Sequence, residues 1–100
     1  MTSRADGLTI TPTAEGCVVE GEIDAHTAPS LASALANLSS ARCTLDLAGV
    51  LFIDSSGLRV LIEAHQRAIA DGGAVQIIHA SPAVRRVFEI SGVDQYLNVD

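Results

Sequence analysis

The spacing of apolar positions changes period along this chain, and each change marks an element. Leu8–Pro12 and Cys17–Ile23 read as short strands, and Glu15-Gly16 between them has turn composition. Two such runs around a short turn predict a β-hairpin. Residues 1–7 are polar and are expected to form a flexible N-terminal tail. Asp24-Ala25-His26-Thr27 interrupts the strand pattern. Thr27 is expected to cap a helix, with Pro29 tolerated in the first turn. Leu31, Leu35 and Leu38, with Ala34 beside them, then recur at helical spacing and predict one buried stripe ending at Ser39-Ser40.

Cys43–Leu47 predicts the next strand, and Ala48-Gly49 is expected to break it. On that reading Val50-Leu51-Phe52-Ile53 is a buried loop or brief extended piece, with Phe52 and Ile53 anchoring it to the core. Leu58, Leu61, Ile62 and Ile69 predict the apolar face of a second helix. Arg59, Glu63 and Arg67 fall on its opposite face as a solvated ion-pair stripe. Asp71-Gly72-Gly73 stops that helix. Ala74–Ile78 reads as a strand, and Ser81-Pro82 is a strong helix start. Val84, Val87 and Phe88 supply the buried side of this third helix, Gly92 closes it, and Tyr96–Val99 reads as a last strand.

The resulting order, β-β-α-β-α-β-α-β, predicts an α/β fold with helices packed on a mostly parallel sheet. The opening hairpin adds an antiparallel edge. With 100 residues there is room for one core, so the domain is expected to span residues 8–100.

Composition narrows the function classes. The net charge is −6 with only six Lys and Arg, so the basic footprint of a nucleic-acid binder is lacking. Arg85-Arg86 is the one basic doublet. No apolar run approaches the roughly 20 residues of a membrane-spanning helix, and Met1–Leu8 has no apolar signal core. The expectation is a cytoplasmic protein that neither inserts in a membrane nor binds nucleic acid directly. Cys17 and Cys43 then read as reduced thiols that pack as small hydrophobes.

The search for chemistry yields no catalytic residue. His26, His65 and His79 are far apart and the cysteines form no C-x-x-C pair, so no metal site is expected. His65, on the apolar stripe, reads as a half-buried structural histidine. Ile53-Asp54-Ser55-Ser56-Gly57 lacks the first glycine of a G-x-S-x-G elbow. Gly72-Gly73 follows a helix and lacks the partner lysine of a phosphate-binding loop, so no cofactor is expected. Glu22, Asp24 and Asp54 lie at strand and helix ends that a parallel sheet brings to one edge. They suit a solvated rim, an acid/base pair or a surface for a basic partner.

Asp54-Ser55-Ser56-Gly57 is the remaining feature. Asp and Ser both cap helices, but one cap needs one such residue. A serine at a helix N-terminus is also a favourable phosphate acceptor, because the dipole tolerates added negative charge. Gly57 would let a partner backbone approach closely.

Three segments carry a resemblance: G-E-I-D-A-H-T-A at 21–28, L-D-L-A-G-V-L-F-I-D-S-S-G-L at 45–58 and S-P-A-V-R-R-V-F-E-I-S-G at 81–92. In this order and spacing they resemble STAS domains, above all the bacterial anti-sigma factor antagonists. The resemblance implies a single β/α superhelical domain without enzymatic activity. The unphosphorylated form would bind an anti-sigma factor that is also a serine kinase, freeing the sigma factor for transcription. Phosphorylation of the serine after the motif aspartate would dissociate the complex, and a serine phosphatase would reset it. Carried over, Ser55 is the phosphorylation site, and Asp24, Asp54, Ser55, Ser56 and Gly57 form the partner-binding edge. The family alternative is an accessory STAS subunit of a membrane transporter or signalling assembly, without a phosphoswitch. Family members usually continue into a further C-terminal helix, whereas this sequence ends at Asp100.

Overall fold

A computed structural model describes residues 3–5, 7–37 and 42–100 of the chain. Six strands form one sheet in sequential order. They are β1 (Ser3–Ala5), β2 (Leu8–Pro12), β3 (Gly16–Ile23), β4 (Arg42–Ile53), β5 (Ala74–Ile78) and β6 (Asn98–Val99). The β2–β3 hairpin is antiparallel, and β3 through β6 are parallel to one another. The helices α1 (Ala28–Ala36), α2 (Ser55–Ala70) and α3 (Pro82–Ser91) form the three crossovers. Crossovers that all step the same way, each right-handed by the general rule, put their helices on one face. Burial agrees: Leu45, Leu47, Val75 and Ile77 are buried, while Thr44, Asp46, Gln76 and Ile78 between them stay partly exposed.

The segment expected to be a tail is in part a strand. Ser3–Ala5 pairs antiparallel with Leu8–Ile10 and widens the hairpin. Three residues without a periodic pattern carry no strand signal of their own; the ladder comes from the edge that β2 offers. Leu38 and Ser39-Ser40 lie outside the described residues.

The larger difference is at Ala48-Gly49. The glycine does not end β4, which runs on through Ile53. Between the Val18–Asp46 and Ile23–Ile53 pairs β3 advances five residues and β4 seven, through two register shifts. Such bulges absorb extra residues and bend the strand. They also reset which residues face the helices: buried positions run Cys43, Leu45, Leu47, then Val50 and Ile53. Phe52 is therefore not an anchor. It is 47% exposed and Leu51 is 73% exposed, while Ile53 is buried. Gly49 is where β3 crowds β4, since a Cβ there would sit 2.8 Å from Cγ of Glu20. Residue type signalled a break, and backbone pairing made it a bulge.

The second helix buries Leu58, Leu61, Ala64, His65 and Ala68 and leaves Arg59, Glu63 and Arg67 exposed, as its pattern predicts. Ile69 departs from it at 54% exposed. It lies about 100° around the helix from Ala68, outside the covered stripe. His65 is more buried than expected. Its Nδ1 accepts the Val75 N–H at 3.3 Å, and its ring meets Tyr96 edge-on at 5.7 Å. Those contacts give it a structural role joining α2 to β5. Cys17 and Cys43 are buried free thiols. Burial, with Cys43 nearby, pushes the Cys17 thiol up to about 12, so it packs as an apolar group. Tyr96 lies in a turn after a 3-10 segment at Val93–Gln95, so the last strand starts at Asn98.

His79 is the one non-glycine residue with positive φ (55°) among the described residues. An L-residue there pays roughly 1–2 kcal/mol, partly offset when glycine replaces it by the latter's greater unfolded-state entropy. His79→Gly is therefore expected to raise stability by about 0.5 kcal/mol, read as a higher urea midpoint with an unchanged slope. A lower midpoint would show that the His79 side chain contributes contacts outweighing its backbone strain.

Candidate functional site

The site is built at the C-terminal ends of β3 and β4, the edge where open parallel sheets place their ligands. Ile23 pairs with Ile53, and the Asp54 N–H donates to the Ile23 carbonyl at 3.0 Å. The residues that follow these strands, Asp24 and Asp54, therefore start side by side. Asp24 leads through a turn into α1, and Asp54 leads directly into α2.

Each aspartate is tied down by backbone donors. One Asp24 carboxylate oxygen accepts the His26 N–H at 2.9 Å and the Thr27 N–H at 3.0 Å. Thr27 takes the N-cap place of α1, yet its side chain does not cap the helix. Its hydroxyl donates to the Glu22 carbonyl at 2.8 Å and accepts the Asp24 N–H at 3.0 Å. Thr27 is 1% exposed, so both hydroxyl bonds are shielded from water and clamp the turn from inside. The expected cap is thus a loop clamp, because turn geometry took the hydroxyl first.

At α2 the capping question has a single answer. Asp54 is the N-cap, and one of its oxygens accepts the Ser56 N–H at 2.9 Å and the Gly57 N–H at 3.2 Å. Ser55 and Ser56 are inside the helix, and neither of their hydroxyls supplies the cap. Ser55 is exposed and Ser56 partly so. The Ser55 hydroxyl is thus presented to solvent on the first turn of a helix anchored by the carboxylate of its neighbour.

Gly57 has a different place from the one expected. It is buried, and a Cβ there would lie 2.5 Å from Cγ2 of Ile23 and 2.7 Å from Cγ1 of Ile53. Its bare face looks into the protein's own core. The glycine lets α2 start directly over the strand ends; it does not open space for a partner's backbone. Ser81 fixes the neighbouring connection, donating from Oγ to the Val50 carbonyl at 2.6 Å and capping α3 through the Val84 N–H.

The structure thus brings Asp24, Asp54, Ser55 and Ser56 to one edge. Glu22 is on the same strand end, opposite Phe52. Pattern reading missed that Leu51 and Phe52 are exposed beside this edge, since only the bulges turn them outward. Arg59 is exposed as the solvated stripe predicts, and what pattern reading did not show is that it also lines a groove at this edge. Its spacing four residues after Ser55 was the available signal. A groove of about 360 Å³ between α1 and α2 is lined by Ser55, Ser56 and Arg59 on one side and by Ala28, Pro29 and Ala32 on the other. Among the described residues no cluster of His, Cys, Asp or Glu could hold a metal ion. Among them, too, no helix is long and apolar enough to cross a membrane.

The N–H donors hold the Asp24 carboxyl below its ordinary value of 3.8, the Thr27 N–H contributing most. A depressed carboxyl stabilises the fold above its unfolded value and loses that contribution as pH falls through the folded one. Asp24 is therefore expected to titrate below the usual aspartate range in a carboxyl-detected NMR titration. Asp24→Asn should flatten the acid limb of the stability profile below about pH 4. A normal midpoint for Asp24 would mean that the turn is not held by its carboxylate.

Parallel strands β3–β6 extended by antiparallel β1 and β2, with helices on one face and an exposed serine on the first turn of α2, define a compact α/β domain. The family model described as "Mlab, STAS domain" matches residues 8–99, and the chain belongs to the STAS domain family. It is similar to the anti-sigma-B factor antagonist of Bacillus subtilis (strain 168). The two are 29% identical over 83 residues, covering 81% of this chain and 76% of that protein. Among solved structures, an anti-sigma factor antagonist from Mycobacterium paratuberculosis superposes with a TM-score of 0.73 at 27% identity, covering 99% of this chain and 81% of that one. The anti-sigma factor antagonist SpoIIAA in its unphosphorylated form shares the fold, with a TM-score of 0.69 at 23% identity, covering 93% of this chain and 87% of that one.

Proposed function

We propose that this protein is an anti-sigma factor antagonist whose binding is switched by phosphorylation of Ser55. Unphosphorylated, it binds a serine-kinase anti-sigma factor through Asp24, Asp54, Ser55 and Ser56 and frees the sigma factor. The observation that carries the reading is the division of labour at α2: Asp54 caps the helix, leaving Ser55 exposed on its first turn. Similarity to antagonists of Bacillus subtilis and Mycobacterium paratuberculosis supports it.

In the transfer step the Ser55 Oγ attacks the γ-phosphorus of ATP. An Oγ–P bond forms, the bond from the γ-phosphorus to the bridging oxygen breaks, ADP leaves, and the hydroxyl proton passes to a base of the kinase. The product adds about −1.5 to −2 charges. In an interface formed around a neutral hydroxyl, a dianion beside Asp54 must give up its water without a cation placed to match it, so the complex separates while the fold persists. A serine phosphatase restores the free hydroxyl.

The test is incubation with the anti-sigma kinase captured by this chain and ATP, read by intact mass and peptide mapping. One phosphate on Ser55 and release of the kinase are expected. A kinase that binds but leaves Ser55 unmodified would sink the switch. A second reading, carried by the STAS resemblance, is an accessory subunit of a membrane transporter or signalling assembly without a phosphoswitch. Co-purification with a permease or ATPase subunit in place of a kinase would favour it.

A further inference from the structure

Arg59 lies one helical turn beyond Ser55, and side chains at i and i+4 share a face. Both line the groove between α1 and α2, and among the described residues Arg59 is the only charged one lining it. The opposite wall comes from Ala28, Pro29 and Ala32, whose short side chains leave the space above α2 open. We propose that Arg59 is a latch for the phosphorylated state: its guanidinium pairs with the phosphate on Ser55 and draws it into the α1–α2 groove. The inference rests on the Ser55 switch and adds a residue that holds the switched state.

The chemistry favours this pairing. Guanidinium and phosphate make two parallel charge-assisted hydrogen bonds, which a carboxylate partner matches with less charge. The acid at the N-terminal position and the cation four residues later is also the favourable orientation on a helix. Other charged groups around this point are Asp54 before α2, Glu63 one turn beyond Arg59, and Asp24 and His26 flanking the groove residue Ala25 in sequence. Asp54 repels the phosphate and Glu63 competes for Arg59, so the doubly charged phosphate must outcompete a single carboxylate. Unphosphorylated Ser55 offers no charge, and the latch is then open.

The full chain with phosphoserine incorporated at position 55 tests the latch without any kinase. A nearby guanidinium lowers the second ionisation of the phosphate, which 31P NMR follows directly. The titration midpoint is expected about 0.5 pH unit lower with Arg59 than in Arg59→Gln, with Arg59→Lys between them. Circular dichroism of each variant checks that α2 is intact. Equal midpoints with Arg59 in place and in Arg59→Gln overturn the latch, whatever the kinase does. Absence of kinase-dependent phosphate on Ser55 of the wild-type chain overturns the switch beneath it, and the latch with it.

Discussion

Ser55→Asp is expected to weaken binding of the anti-sigma kinase about 100-fold, while Ser55→Ala binds as tightly as the wild type and cannot be released by ATP. The permanent charge would have to be desolvated beside Asp54 in an interface formed around a neutral hydroxyl. A buried charge left without a matched partner costs several kcal/mol, and about 3 kcal/mol corresponds to 100-fold. The structure separates this effect from a loss of fold. Asp54, not Ser55, accepts the Ser56 and Gly57 N–H groups. Ser55→Ala should therefore change stability by no more than about 0.5 kcal/mol. Asp54→Ala, which removes the cap itself, should cost about 1 kcal/mol. Calorimetric titration of each variant against the kinase, beside urea unfolding, gives both numbers. Equal affinity for Ser55→Asp and wild type would exclude a charge switch at this position.

The second large effect is at Gly57, where local and tertiary preferences oppose each other. Alanine is favoured over glycine inside a helix by about 1 kcal/mol. On propensity alone Gly57→Ala would stabilise the protein. The new methyl would instead fall 2.5 Å from Ile23 and 2.7 Å from Ile53, both buried and unable to swing into solvent. Overpacking of that kind costs about 1–3 kcal/mol. The expected result is a net loss of up to about 2 kcal/mol in urea unfolding, with the start of α2 pushed off the sheet. Because Ser55 sits on that first turn, partner affinity should fall as well. Combining Gly57→Ala with Ile23→Ala should cost less than the sum of the two, since the shorter side chain makes room for the methyl. A stabilised Gly57→Ala would show that the helix N-terminus has slack against the strand ends.

Much of the architecture was legible because it rests on periodicities that local sequence carries. The Leu31–Leu35 spacing, the Ser81-Pro82 start with Gly92 at φ 80°, and the alternation in β5 all survive in the fold. The resemblance carried by the D-S-S-G-L segment pointed to the same α/β family. What escaped local reading was every feature decided by a neighbour. Gly49 looked like a strand end, but pairing with β3 turned it into part of a bulge that exposes Leu51 and Phe52. Thr27 looked like a cap, but the Glu22 carbonyl and Asp24 N–H claimed its hydroxyl. Ser3–Ala5 had no pattern and gained its ladder from β2.

For the site, residue types alone determined that acids and hydroxyls cluster where a helix begins, because helix N-termini select such groups. They left three polar residues competing for one cap and assigned Gly57 to the wrong side. Tertiary packing decided both. Backbone pairing of Ile23 with Ile53 sets Asp24 beside Asp54 and gives the cap to Asp54. Close contact with those two isoleucines fills the space under Gly57, so Ser55 is what remains facing outward. Sequence specifies which groups are available; the distances between segments far apart in the chain determine which of them is left exposed.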